Sequence, residues 1–351
     1  MFETSGTQLL YLSALGIWGL CDYAFFNSMF ARLDTVTRTH RFPDGRSLRS
    51  SYMGLVAVDA KLTLLSAFYD VLTNSLTSGP RLLFFDVNYA VACSSLWALA
   101  EFRRRGVRSR FLKYPAWAAV LCNVNGAAIA LPPYLYLVCR SKVRLRGVAI
   151  PWHQAAALPT TTLAALLQPL LIFAPAWMGR GGTDLHHGCI ALFQVAPVAV
   201  LGFHLGLASV LRRTSAGTSS QSSSSSKRWT VASLILAGTV ASAVHFYTVA
   251  SALLARDEDA LLTRLFIPTR GFADPAGSLS QQTNGLPAEY AALLENVHLF
   301  FAMGLNRRKV SGKTNTPTEA QELICLAAAA VFLDPGAAGS FTLAIREARL
   351  P

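Results

Sequence analysis

The sequence predicts an all-α fold, a polytopic integral membrane helical bundle of seven to eight transmembrane helices, and two observations carry that expectation. Of its 351 residues 52% are hydrophobic and only 14% charged, against about a quarter charged in ordinary soluble domains. Inside the apolar stretches a polar row recurs at helical spacing: Tyr52, Asp59, Thr63, Ser66, Asp70 and Asn74. Those steps return to one face of a helix. Carboxylates directed at lipid are costly, so that face is expected to look onto protein or a wet cavity.

Each candidate span approaches the roughly twenty residues that cross the hydrocarbon. In chain order they cover 9–31, 52–77, 82–100, 114–139, 149–178, 188–211, 229–255 and 287–305. The first is not preceded by a short cleavable leader and is long enough to serve as an uncleaved anchor. The second carries the polar row, and the third follows it after a short connector at Ser78–Arg81. The fourth is interrupted by Pro132 and Pro133, and the eighth is the weakest. Between the sixth and seventh lies TSAGTSSQSSSSS, a polar tract that cannot bury a core and reads as a loop. The expected organisation is therefore a transmembrane bundle over 1–305, with a Ser-rich loop at 214–226, and a polar to weakly apolar C-terminal tail over 306–351. Within the tail, LICLAAAAVFL is too short to cross and fits an interfacial or packed helix.

The net charge of +12 does not point to nucleic acid, because the basic residues stand in short blocks between apolar runs, the pattern of membrane topology. Loops holding Arg32 to Arg49 and Arg103 to Lys113 are expected on the cytosolic side. The loop with Arg140, Lys142, Arg144 and Arg146 breaks the alternation unless the fourth segment re-enters rather than crosses, which irregular backbone beside a cavity permits. With that re-entry, the block Arg212 to Arg228 falls inside and the acidic segment Asp257, Glu258, Asp259 outside. Six cysteines lie singly, without a CxxC spacing, and are expected to be reduced and mostly packing residues. Localisation is expected in the endoplasmic reticulum or another endomembrane, as a multi-pass protein whose first partner is the lipid bilayer.

Asp70 and Asp86 approach one membrane face from opposite directions across the Ser78–Arg81 connector, at comparable depth given a rise of about 1.5 Å per residue. Two carboxyl groups close together in a low dielectric do not both ionise, and one keeps its proton as a Brønsted acid. Asp70, Asp86 and Asp59 are thus the candidate catalytic acids, with Glu101 as a proton acceptor or head-group partner. Each acid also has a bland alternative, a backbone amide or a nearby Arg81 or Lys61. Asn123, Asn125 and Tyr134 around the Gly126 and proline break offer neutral donors that either hold a substrate hydroxyl or tie helices together. Trp97, Tyr69 and Phe85 supply aromatic walls near the acids.

No two of the span histidines His153, His204, His245 and His298 have metal-pair spacing, and His186 and His187 are read as a loop pair. No metal and no cofactor is expected: the HxxxH arrangement, haem and dinucleotide fingerprints, the P-loop and the GxSxG elbow are absent. Diphosphate ionisation through magnesium needs repeated Asp-rich motifs, and Asp257–Asp259 is a single cluster. Protonation of an epoxide or alkene needs only an acid and a dry aromatic chamber.

The phrases FYDVLT (68–73), RLLFFDVNYA (81–90), LWALAEFRRRGVRS (96–109) and LCNVNGAAIALPPYLYLVCRSK (121–142) resemble fungal membrane-bound terpene cyclases of the ascochlorin and ascofuranone type, over roughly residues 55–210. The resemblance implies an enzyme of meroterpenoid secondary metabolism that cyclises an epoxidised farnesyl chain on an aromatic, polyketide-derived head group. It implies a hydrophobic prenylated substrate and pathway enzymes in the same membrane, and it transfers no catalytic residue. The rival from another class is a membrane transporter or small-molecule-binding membrane protein of a secondary-metabolite cluster. Carriers usually show broken helices in both of two repeated halves, whereas one broken segment is visible here.

Overall fold

The computed structural model describes residues 7–18, 21, 29–74, 78–105, 114–140, 150–214, 223–255 and 319–349. Among them every regular element is helical, and the sole strand-like feature is an isolated bridge between Arg41 and Ser47. The helices are α1 Thr7–Ile17, α2 Met29–Thr39, α3 Val56–Thr73, α4 Ser78–Arg105, α5 Ala116–Asn125, α6 Ala127–Arg140, α7 Trp152–Leu167, α8 Leu170–Pro175, α9 Asp184–Thr214, α10 Ser223–Leu254, α11 Glu319–Leu333 and α12 Pro335–Arg349, with a π turn at Ala176–Arg180. The all-α expectation holds.

Three helical stretches are long and apolar enough to cross a membrane: Trp152–Arg180, Asp184–Thr214 and Ser225–Leu254. Their outward faces are apolar, with Leu163, Leu192, Val195, Phe203, Ile235 and Phe246 exposed, as lipid contact requires. The expected seven to eight spans reduce to these three among the described residues. α3 falls short because its eighteen residues include Asp59, Lys61 and Asp70. The candidate over 9–31 is not described as one helix: α1 ends at Ile17, and α2 begins at Met29 with three charged residues, Arg32, Asp34 and Arg38. The candidate over 287–305 lies outside the described residues.

Prolines inside helices leave a carbonyl four residues back without its backbone donor, and side chains of neighbouring helices take up two of these here. Pro133 frees the Ile129 carbonyl, and Ser13 Oγ of α1 donates to it at 2.8 Å. Pro197 frees the Phe193 carbonyl, and Asn123 Nδ2 of α5 donates to it at 3.0 Å. The 114–139 segment breaks not at Pro132 and Pro133, which sit within α6, but at Gly126, whose φ of 89° is open to a residue without a Cβ. At 10 and 14 residues, neither half is long enough to cross the hydrocarbon.

α10 is the central helix, flanked by α12, α7 and α4, while α9 lies against α7, α5 and α3. The expected C-terminal tail supplies two of these packed pieces, α11 and α12. Gly339 of α12 lies so close to the Trp97 indole that a Cβ would overlap it, and Trp97 Nε1 donates to Ser340 Oγ at 2.7 Å. The main core gathers Tyr69, Leu72, Phe84, Phe85, Trp97 and Phe173 from α3, α4 and α8, and reaches Leu343 of α12.

Candidate active site

The polar row faces inward along α3 as its spacing predicts: Asp59, Thr63, Ser66 and Asp70 are buried, while Tyr52 and Asn74 at its two ends are half-buried. Asp59 accepts the backbone N–H groups of Met53 at 2.8 Å and Gly54 at 3.0 Å, so it fastens the turn that leads into its own helix. Ser66 accepts the Tyr52 hydroxyl at 2.7 Å. Lys61 is not the partner of Asp59.

Asp70 is fully buried and closely surrounded. Arg46 Nη1, from the 40–55 loop, meets Oδ1 at 2.7 Å, while His187 Nε2 and His186 Nδ1, from the first turn of α9, lie 3.3 and 3.2 Å from Oδ2. The Arg49 backbone N–H donates to His187 Nδ1 at 3.3 Å, which puts the proton of that ring on Nε2, aimed at Asp70. Arg46 also reaches Asp44. Burial lowers the Arg46 pKa, but the Asp70 and Asp44 carboxylates outweigh it and hold the guanidinium above its usual value. Asp70 is therefore a charge-paired anchor for a loop and two helices.

Asp86 lies in a different neighbourhood. It is fully buried on α4, and His245 Nδ1 of α10 is 2.8 Å from its Oδ2. His245 Nε2 faces the Val331 carbonyl of α11 at 3.1 Å; a carbonyl only accepts, so Nε2 carries a proton. The third member is Asp334, fully buried at the α11–α12 junction, where its φ is 91°. Its Oδ1 accepts the Ala337 N–H at 2.9 Å, capping α12. One donor atom from each of Asp86, His245 and Asp334 lies within 4.8 Å of the others. Asp86 Oδ1 and Asp334 Oδ2 have no hydrogen-bond partner among the described residues.

That inventory decides the chemistry. With both carboxylates ionised and the imidazole charged, the site holds a net negative charge and two unanswered oxygens in a buried interior, which is expensive. One further proton on either carboxyl group neutralises it, and such a proton is available as an acid. The same three donors are also a set that could hold a divalent cation, although the Asp86–His245 hydrogen bond engages two of the atoms that would have to turn toward it.

The two acids expected to share a pocket are thus apart in partnership: Asp70 belongs with Arg46, His186 and His187, and Asp86 with His245 and Asp334. The structure does bring Asn123 to Tyr69, whose hydroxyl donates to the Asn123 carbonyl at 2.8 Å. With its amide on Phe193, Asn123 ties α5 to α3 and α9. A cavity of about 50 Å³ lies beside it, with Asn88, Gln168, Phe193 and Pro197 among its walls, and neither acid cluster lines it. Asn125 is exposed and bonds back to the Leu121 carbonyl of its own helix. Tyr134 and Trp97 are buried in the core. Phe85 is buried with its ring against Tyr89, Phe173 and Trp177 at 5.0, 4.9 and 5.2 Å between centroids. Glu101 is on α4, but its side chain lies outside the described residues.

Asp334, His245, Arg46, His186 and His187 are the members that sequence reading passed over. Asp334 had a local signal: an Asp followed by Pro335 after an apolar run is a helix start. The histidine spacings bear on metal pairs and carry no signal of acids on distant helices.

The CtvD domain family matches residues 5–272. Two relatives, both named terpene cyclase DEP1, align over the whole of this chain and of their own: one from Alternaria brassicicola is 61% identical and one from Fusarium langsethiae 62%. Terpene cyclase alnG of Emericella nidulans is 28% identical over 56% of each chain. No solved structure matches.

Proposed function

The chain belongs to the CtvD domain family and is a terpene cyclase, and on that premise we propose that it is an integral membrane enzyme whose Asp86–His245–Asp334 cluster starts the reaction by protonation. The substrate is an epoxidised prenyl chain, a farnesyl chain on an aromatic, polyketide-derived head group. The observation that carries the reading is the pair of buried carboxyl oxygens without partners, next to an imidazole that already holds its other proton. The proton held by one of the two carboxyl groups passes to the epoxide oxygen, a C–O bond breaks, and the chain's alkene electrons form the new ring bond. Loss of a proton from a ring carbon to the carboxylate restores the acid, and the product is an isomer of the substrate. No step calls for an oxidant or reductant.

Asp70 and Asp59 are saturated with donors, which supports an architectural role for both. The three apolar spans support a multi-pass protein of the endoplasmic reticulum or another endomembrane. A count of seven to eight crossings needs further described helices to lie across the same bilayer. Pathway enzymes in that membrane would supply the prenyl and epoxide groups.

The test is turnover in microsomes given an epoxyfarnesyl phenol. Asp86→Asn and Asp334→Asn are each expected to lower it by about 100-fold or more, the usual contribution of a positioned acid, while Asp59→Asn, if it folds, keeps most of it. Full turnover in both of the first two variants would refute the acid assignment.

A further inference from the structure

We propose that the isoprenoid chain binds along the seam between α4 and α10, with Trp177 and Tyr247 as its outer aromatic wall; this rests on the cyclase reading and names the subsite that reading requires. The seam has two flanks. On one, Asp86 of α4 meets His245 of α10. On the other, Phe85 of α4 lies 6.4 Å from Tyr247 of α10 and 5.2 Å from Trp177, ring centre to ring centre. Tyr89 stands three residues beyond Asp86, a spacing that puts both on one side of the helix, and packs edge-on against Phe85 at 5.0 Å. The aromatic cluster therefore runs continuously from beside the acid to the outside.

Its burial is graded. Phe173 is fully buried and Phe85 and Tyr89 nearly so, whereas Trp177 is 52% and Tyr247 56% exposed. Trp177 stands in the closing turn of its helical stretch, Ala176–Arg180, where Gly179 has a φ of 71°, the left-handed glycine that commonly ends a helix. Chemically the surface suits a branched polyene: apolar faces for its methyl groups and negative ring faces for the cation that follows epoxide opening. The alternative use of an exposed Trp and Tyr in a membrane protein is as an anchor at the bilayer interface.

Binding separates the two, and an unreactive ligand keeps the measurement independent of the acid. The full chain carrying Asp86→Asn, in detergent, is titrated with a farnesyl phenol that lacks the epoxide, reading tryptophan fluorescence. A saturable change is expected, abolished by Trp177→Phe while the other five tryptophans report an intact fold. Trp177→Ala and Tyr247→Leu, read by equilibrium binding of the same phenol in radiolabelled form, are each expected to weaken the affinity by about tenfold or more, the equivalent of one lost good contact surface. Tyr247→Phe, which keeps the ring, is expected to bind normally. Unchanged affinity in Trp177→Ala and Tyr247→Leu, with unchanged thermal transitions, would make the two rings bilayer anchors and overturn the subsite. The acid assignment would survive that result, since its own test is turnover in the Asp86 and Asp334 variants.

Discussion

Asp70 and Asp86 are both carboxylates with no exposure, yet their surroundings give them opposite tasks. Asp70 is answered by a guanidinium and by the Nε2–H of His187, so removing it leaves a cation and a ring N–H stranded. Breaking a buried charge pair from one side costs roughly 3–5 kcal/mol. Asp70→Ala is accordingly expected to lower the thermal transition in detergent sharply, and Asp70→Asn less so, because an amide oxygen still accepts from Arg46. A wild-type transition in Asp70→Ala would show that the Arg46 loop does not depend on it. The sequence already showed that both acids point inward, since periodicity reports which face of a helix a residue occupies. It could not show what stands opposite. The partners of Asp70 come from 24 residues away for Arg46 and from 116 and 117 for the two histidines, and that of Asp86 from 159, and a short connector between two helices constrains depth but not rotation.

At the scale of helices, the prolines and glycines explain where segments break and which surfaces touch. Pro132 and Pro133 look like the stronger interruption of 114–139, but a proline is tolerated in a helix when a neighbour satisfies the carbonyl it orphans, as Ser13 does here. Gly126, with a left-handed φ, is where the chain turns. The same logic links Asn123 to Pro197. Asn123→Ala leaves the Phe193 carbonyl without its donor, a loss of about 1–3 kcal/mol for a buried group. Pro197→Ala restores a backbone N–H at the position that would serve that carbonyl. The double variant is therefore expected to be more stable than the sum of the single effects predicts, with a coupling of about 1 kcal/mol in a cycle of thermal or denaturant transitions. Additive effects would mean that Asn123 acts elsewhere, on the cavity beside it. A neutral amide in an apolar segment is legible as glue or as a ligand donor, and its hydrogen bond to the Phe193 carbonyl favours glue.

For the molecule as a whole, the least legible part is the last. Residues 335–349 are rich in glycine, alanine and mixed charge and read as a tail, because hydropathy rewards large apolar side chains while close helix contact in membranes rewards small ones. α12 is built on that second rule. Gly336 sits against Ala90 and Cys93, Gly339 against Trp97, and Phe341 against Gly238 of α10, each so near that an added Cβ would collide. The helix thereby closes α4 onto α10 and delivers Asp334 to the acid cluster, so fold and chemistry depend on one small-residue surface. Gly339→Leu should force α12 away from Trp97 and move Asp334 with it, since overfilling a packed contact costs about 1–3 kcal/mol and shifts backbone. Turnover is expected to fall much further than the thermal transition does, because an acid displaced by an ångström fails before a bundle unfolds. Ser340→Ala removes the hydrogen bonds of its hydroxyl, that from Trp97 among them, and leaves the backbone contact, so its turnover should stay near that of the parent. Equal activity in Gly339→Leu and Ser340→Ala would separate α12 from the chemistry and leave it as packing alone.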